Sequence, residues 1–392
     1  MDKNGFHISG QSLTRAAVAC QYFLYFGVMG LYLPYFNLYC YHLGFSGFDI
    51  GVLSALRSVT LVVFPMAWGA LADRTRGRRP IYILCNVASA AVWALFLTTE
   101  DFGSMAAITF LYGIFYAPII SFLEATTMET LGREKKNYGR IRLWGSISFI
   151  SVVLAFGKLI GMFSARLIIV SILIGSILLA VISVGVPRDR FGGASVSVRG
   201  AATLLRRRPA VFLASAFLML VSHGAYYGFF SIHLESLGYT GTFIGASWAL
   251  ASAAEILAML YSEAIFSRFA LERVLLASFA AAVLRWWILG AATSEAVILL
   301  SQALHAMTYG AFHMASILYM DRLAPAGAKN LGQALNNALT YGLGLMVGFF
   351  INGYLYGVIG AFGLFQLSAL IAMTGGLLFA AFHALGRPSG GG

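Results

Sequence analysis

Apolar runs of spanning length, each closed by a short polar or charged break, recur along the chain. They fall near 17–40, 47–71, 80–98, 104–128, 141–160 and 164–186, then near 210–234, 243–266, 274–292, 296–320, 332–356 and 360–384. A bilayer core takes a helix of roughly 20 apolar residues, so the pattern predicts twelve transmembrane helices, spans 1–12, and no strand. The first sixteen residues are polar, and the run that follows is too long for a signal-peptide core. Span 1 is therefore read as a retained helix.

Composition strengthens that reading. Apolar residues make up 59% of the 392 and charged residues 10%, against about 25% charged in an ordinary soluble domain. No soluble fold of this length hides so much apolar surface. Cys20, Cys40 and Cys85 are scattered and indicate neither a disulfide framework nor a metal site.

The net charge of +11 raises nucleic acid as a partner, and the placement of the charges argues against it. Of the 26 Lys and Arg, 21 fall at one end of the predicted bundle, including Arg74 to Arg79, Arg133 to Arg140 and Arg188 to Arg208. The opposite loops hold only Lys158 and Arg166, with Glu100, Asp101, Glu235 and Glu295. By the positive-inside rule the basic end and both termini are cytoplasmic, so topology accounts for the charge and the partner is a lipid bilayer.

The chain also repeats. Residues 43–56 read LGFSGFDIGVLSAL and residues 237–250 read LGYTGTFIGASWAL; Lys136-Asn-Tyr-Gly139 recurs as Lys329-Asn-Leu-Gly332 at nearly the same offset. Two matches in order predict two six-helix halves, residues 1–187 and 209–392, joined by a Gly, Ser and Arg-rich linker over 188–208. Parallel-related halves that rock about a midplane site form a transporter architecture.

At the end of span 2 stands Gly69-Ala-Leu-Ala-Asp73-Arg74-Thr-Arg76-Gly77-Arg78-Arg79. It resembles the signature loop of the major facilitator superfamily, with one extra residue before the later glycine. Gly69 suits close helix approach, and Asp73 suits a helix terminus that parts during rocking. The second copy is degenerate, with Ser267 at the aspartate position. Met29-Gly30-Leu-Tyr32-Leu-Pro34-Tyr35-Phe36 in span 1 resembles the lactose permease group. Val283-Leu-Arg285-Trp286 and Gln302-Ala-Leu-His305-Ala-Met-Thr308-Tyr309 resemble its phenylpropionate permease branch. The resemblance implies a twelve-helix major facilitator fold in a bacterial inner membrane. It further implies proton-coupled uptake of a small organic solute by a monomer.

Five charges fall inside spans: Arg57, Glu124, Arg142, Glu255 and Arg285. Each costs about 2.5–3.5 kcal/mol at a helix centre, so each must pair or face a wet cavity. The bland reading is paired helix glue, such as a bridge between Glu255 and Arg285. The resemblance instead places Glu124 and Arg142 at the substrate, and Glu255, Arg285 and His305 at the coupling site. The proton-carrying carboxylate of lactose permease, three residues after that histidine, is here Thr308. The coupled proton is therefore expected on Glu255, with His305 or His313 as relay. Three arginines against two glutamates leave one positive charge for a small organic anion, an aromatic monocarboxylate on the resemblance, and Arg57 is the surplus.

Gln302, His305, Tyr309 and His313 share a face of span 10, and histidine titrates near neutrality. Core hydrogen bonding is the competing role for each histidine. His223, Tyr226, Tyr227 and Phe230 in span 7 are equally ambiguous. Tyr25, Met29, Tyr32 and Phe36 form an aromatic stripe that suits either packing or the ring of a substrate. Glycine pairs four apart, Gly47/Gly51, Gly224/Gly228, Gly241/Gly245, Gly344/Gly348 and Gly353/Gly357, are assigned to close crossings rather than to a cofactor. No HExxH, GxSxG or phosphate-binding loop is present, which disfavours an enzyme or an ATP-driven pump. Sugar and nucleoside symport, efflux, facilitated diffusion and a non-transporting receptor or scaffold stay open.

Overall fold

The computed structural model describes residues 10–187, 204 and 206–385. Lys3, Arg387 and most of the expected linker lie outside the described residues. Among those described, every regular element is helical, and nine helices are long and apolar enough to cross a membrane. One of the nine, Lys329–His383, is two rods joined at Gly360, where φ is 64° and ψ is 179°. Leu271–Leu289 supplies span 9, and Glu295–Ala303 with Phe312–Leu323 supplies span 10. The chain is an all-α integral membrane protein, and its rods are consistent with twelve spans.

Local chemistry explains the ends and the breaks. Ser46 opens span 2 with a capping box: its Oγ accepts from the Asp49 N–H at 3.2 Å, and Asp49 Oδ2 accepts from the Ser46 N–H at 3.0 Å, which satisfies two orphan donors. Thr240 takes the matching place at span 8, accepting from the Phe243 N–H. The glycines two residues upstream, Gly44 and Gly238, both turn at φ 84°, a corner that favours glycine. The two copies of the repeat thus fold alike. Span 1 widens into a π-helical turn at Tyr32–Phe36, where Pro34 brings no N–H to the ladder. Two more π-helical segments, Ala306–Ala311 in span 10 and Ala338–Gly344 in span 11, bring Tyr309 and Tyr341 toward the middle of the bundle.

Spans 1–6 meet spans 7–12 mainly toward the acidic end. A Cβ on Gly51 would lie 2.7 Å from the Phe349 carbonyl oxygen and 2.8 Å from Gly353 Cα, and Gly157 of span 5 abuts Gly241 of span 8 as closely. Of the ten paired glycines, Gly47, Gly51, Gly241, Gly245 and Gly353 crowd a neighbour across this boundary, Gly224, Gly228, Gly344 and Gly348 crowd one within spans 7–12, and Gly357 faces open space. Asn37 Nδ2 donates to the Gly228 carbonyl at 2.9 Å, and His42 Nε2 lies 2.6 Å from Glu235 Oε1. At the basic end the pattern reverses. Arg15–Glu134 and Arg78–Glu129 stay within spans 1–6, and Arg322–Glu272 and Lys329–Asp321 within spans 7–12. No ion pair crosses there among the described residues.

Candidate functional site

A cavity of about 490 Å³ lies between the two sets of spans. Its walls are mostly apolar: Met29 and Leu33 from span 1, Leu61, Val62 and Met66 from span 2, Leu345 and Phe349 from span 11. Tyr227, Tyr309 and Tyr341 come from spans 7, 10 and 11, and Ser58, Ser121 and Asn337 add uncharged polar groups. A concave, mainly apolar pocket with a few placed polar groups is the usual form of a small-molecule site.

Arg57 is the cation of this wall. Its guanidinium sits 4.3 Å over the Tyr32 ring, and its Nη2 donates to Met29 Sδ at 3.1 Å. No carboxylate lies within 4 Å of it among the described residues. A thioether is a weak acceptor, so most of the donors in this fork have no partner among the described residues.

Glu124 is exposed on span 4 beside Tyr138 and Arg142. Arg142 lies 3.8 Å from the Phe26 ring centroid and 5.7 Å from that of Tyr22, and it is within electrostatic reach of Glu255 as well. One arginine of span 5 thus acts electrostatically on the acids of both span 4 and span 8. Neither acid closes to an ion pair with it within 4 Å.

The Glu255–Arg285 bridge of the paired-glue reading is not formed. His305 intervenes: its Nε2 lies 3.6 Å from Glu255 Oε2, and its Nδ1 lies 2.8 Å from Arg285 Nη1. Arg285 is wholly buried and bound by neutral groups, donating to Thr308 Oγ1 at 3.2 Å and Gln302 Oε1 at 2.9 Å with Tyr226 and Trp286 as ring neighbours. Thr308, standing where lactose permease carries an acid, thus serves as an arginine ligand. His313 pairs with the Tyr341 hydroxyl at 2.7 Å, one turn below Tyr309.

The aromatic stripe of span 1 divides. Met29 lines the cavity and Tyr32 covers Arg57. Tyr25 stacks on Tyr116, and Phe36 packs against Trp93 and Phe96, so neither reaches the cavity wall. Tyr341 and Asn337 were not anticipated. The polar set Asn336, Asn337 and Thr340 inside an otherwise apolar span was the available signal, and it carries no charge.

The signature loop is built but open. Arg76 ends span 2 in the left-handed region at φ 51°, Gly77 donates its N–H to the Ala72 carbonyl, and Arg78 pairs with Glu129. Gly69 meets no neighbour within 4 Å, and Asp73 and Arg74 are exposed without an ion pair among the described residues. The close approach expected at Gly69 is absent in this structure.

Residues 16–367 match the MFS_1 like family. The chain is 28% identical over 368 residues to a probable 3-phenylpropionic acid transporter of Escherichia coli (strain K12), covering 91% of this chain and 94% of that one. It is 26% identical over 340 residues to a maltose permease of Geobacillus stearothermophilus, covering 85% and 86%. The crystal structure of the nucleoside transporter NupG superposes with a TM-score of 0.85 at 16% identity, over 94% of this chain and 99% of that chain, which shows a shared fold.

Proposed function

Since the chain belongs to the MFS_1 like family, a family of transporters and not of enzymes, we propose that it is a proton-coupled symporter that takes up a small organic anion, an aromatic monocarboxylate. The observation that carries the reading is Arg57: a guanidinium on a mainly apolar cavity wall, flanked by the Tyr32 face, with no carboxylate partner among the described residues. An anionic head group satisfies that fork through charge-assisted hydrogen bonds, and the tyrosines across the cavity accept an aromatic ring. Glu124 and Arg142 complete the substrate contacts. Glu255 carries the coupled proton, with His305 or His313 as its relay and Arg285 completing the group.

Residues 1–187 and 209–392 move as two halves, with 188–208 as a cytoplasmic linker and both termini cytoplasmic in a bacterial inner membrane. On that orientation the contacts at the acidic end close the outer face, and the cavity belongs to an inward-facing state. Gly69, Asp73, Arg74, Gly77 and Arg78 re-engage when the basic ends approach. The transporting unit in this reading is the monomer.

Reconstituted protein under an imposed inward proton gradient tests the reading. Labelled 3-phenylpropionate is expected to accumulate in preference to maltose and uridine. Preference for either neutral solute overturns the anion assignment, and uptake indifferent to the gradient overturns the coupling.

A further inference from the structure

The contact between Arg285 and His305 fixes more than a distance. An arginine side chain carries five N–H donors and no acceptor, and it stays protonated in proteins. The 2.8 Å contact between Arg285 Nη1 and His305 Nδ1 therefore has one possible sense: arginine donates and Nδ1 accepts with its lone pair. A cationic imidazolium has no lone pair at either nitrogen. While this bond holds, His305 is neutral and its single ring proton sits on Nε2, the nitrogen 3.6 Å from Glu255 Oε2.

The surroundings reinforce that state. The groups facing His305 are Arg285 from span 9, Glu255 from span 8, Tyr226 and His223 from span 7, and Tyr309 stacked at 5.3 Å on its own span. Arg285 itself is anchored by Gln302 and Thr308 and lies beside the Tyr226 and Trp286 rings. It has little freedom to turn away, and it is wholly buried.

We propose that Arg285 is a positioning residue that locks His305 in the neutral Nε2–H tautomer, making the histidine a fixed donor toward Glu255 and not a proton carrier in this conformation. The meaning for transport rests on the reading of Glu255 as the coupling acid; the tautomer does not. It narrows the relay: a proton leaving Glu255 passes through His305 only after Arg285 lets go, and otherwise leaves by another path.

Nitrogen NMR of the full chain, labelled with [15N]histidine and held in lipid bilayers, tests this at about pH 8 and about pH 5, either side of the ordinary histidine range. His305→Gln identifies the signals by their loss. The expected spectrum keeps one bare and one protonated ring nitrogen at both values. In Arg285→Met, which removes the donor, both nitrogens become equally protonated by the lower pH. Equal protonation in the parent at pH 5, a protonated Nδ1 at pH 8, or an unchanged lock in Arg285→Met overturns the proposal. Should Arg285→Met fail to fold, the parent spectrum decides alone. Accumulation of 3-phenylpropionate by Glu255→Gln is scored separately. If it survives while the lock is seen, the coupling assignment falls and the lock stands; lost accumulation with a titrating His305 is the reverse.

Discussion

His42 and Glu235 meet 2.6 Å apart across the acidic end of the bundle, joining the close of span 1 to the close of span 7. Both side chains are about one-third exposed, at 35% each. An exposed pair of this kind contributes about 0.2–1 kcal/mol, which biases a two-state equilibrium without locking it. Glu235→Gln is expected to raise labelling of an Ile50→Cys reporter by an impermeant maleimide up to about fivefold, the ratio that corresponds to 1 kcal/mol. Labelling unchanged from the parent removes the pair from the outer closure.

The glycine crossings set a harder limit. Gly51→Leu forces a side chain into the Phe349 carbonyl and Gly353, and overpacking of this kind costs about 1–3 kcal/mol. Uptake is expected to fall about tenfold or more as the outer end fails to close, whereas Gly357→Ala, which meets open space, transports like the parent. Equal uptake by both variants contradicts this account of the closure.

Arg57 and Arg142 are read as forks as well as charges. Charge-assisted hydrogen bonds of this type contribute about 1.5–3 kcal/mol, and lysine keeps the charge without the planar geometry. Arg57→Lys and Arg142→Lys are each expected to weaken 3-phenylpropionate binding about tenfold to a hundredfold, read from the ligand-induced rise in melting temperature. Either variant binding like the parent removes that arginine from the site.

Glu255→Gln separates coupling from binding. Accumulation against a gradient is expected to be lost, while exchange of internal for external substrate persists, because exchange needs no net proton release. Paired flux measurements in the same vesicles decide it. Accumulation that survives moves the proton site elsewhere.

Orientation is tested independently of chemistry. Ser46→Cys and Thr240→Cys are expected to react with an impermeant reagent in intact cells, and Ser195→Cys is not. The opposite pattern inverts the topology and with it the direction in which the cavity opens.

The parts of this architecture legible in the sequence are those set by local chemistry. Bilayer thickness fixes the length of an apolar run, and Ser46 with Gly44, echoed by Thr240 with Gly238, marks the same corner twice. The identity of the embedded charges was also legible, since lipid tolerates so few. Their partners were not. Glu255 and Arg285 lie on adjacent spans and read as a pair, yet His305 reaches between them from span 10, and Arg142 acts electrostatically on two acids at once. Such choices depend on the rotation of each helix about its axis, and the π-helical turns at Tyr32, Ala306 and Ala338 alter that rotation midway. The same rotation turns Tyr25 into the packing and brings Tyr341 to the cavity.

The setting of Arg285 also bears on how the chain is assembled. Tyr226, on one side of its guanidinium, is synthesised before it; Gln302, His305 and Thr308, which accept its hydrogen bonds, come after it. A nascent span 9 thus reaches the bilayer with its cation still unsolvated by protein, at the cost of about 2.5–3.5 kcal/mol that such a residue carries on insertion. Span 9 gains the acceptors of its cation only once span 10 has been made. The order of translation thus bears on how this charge comes to rest.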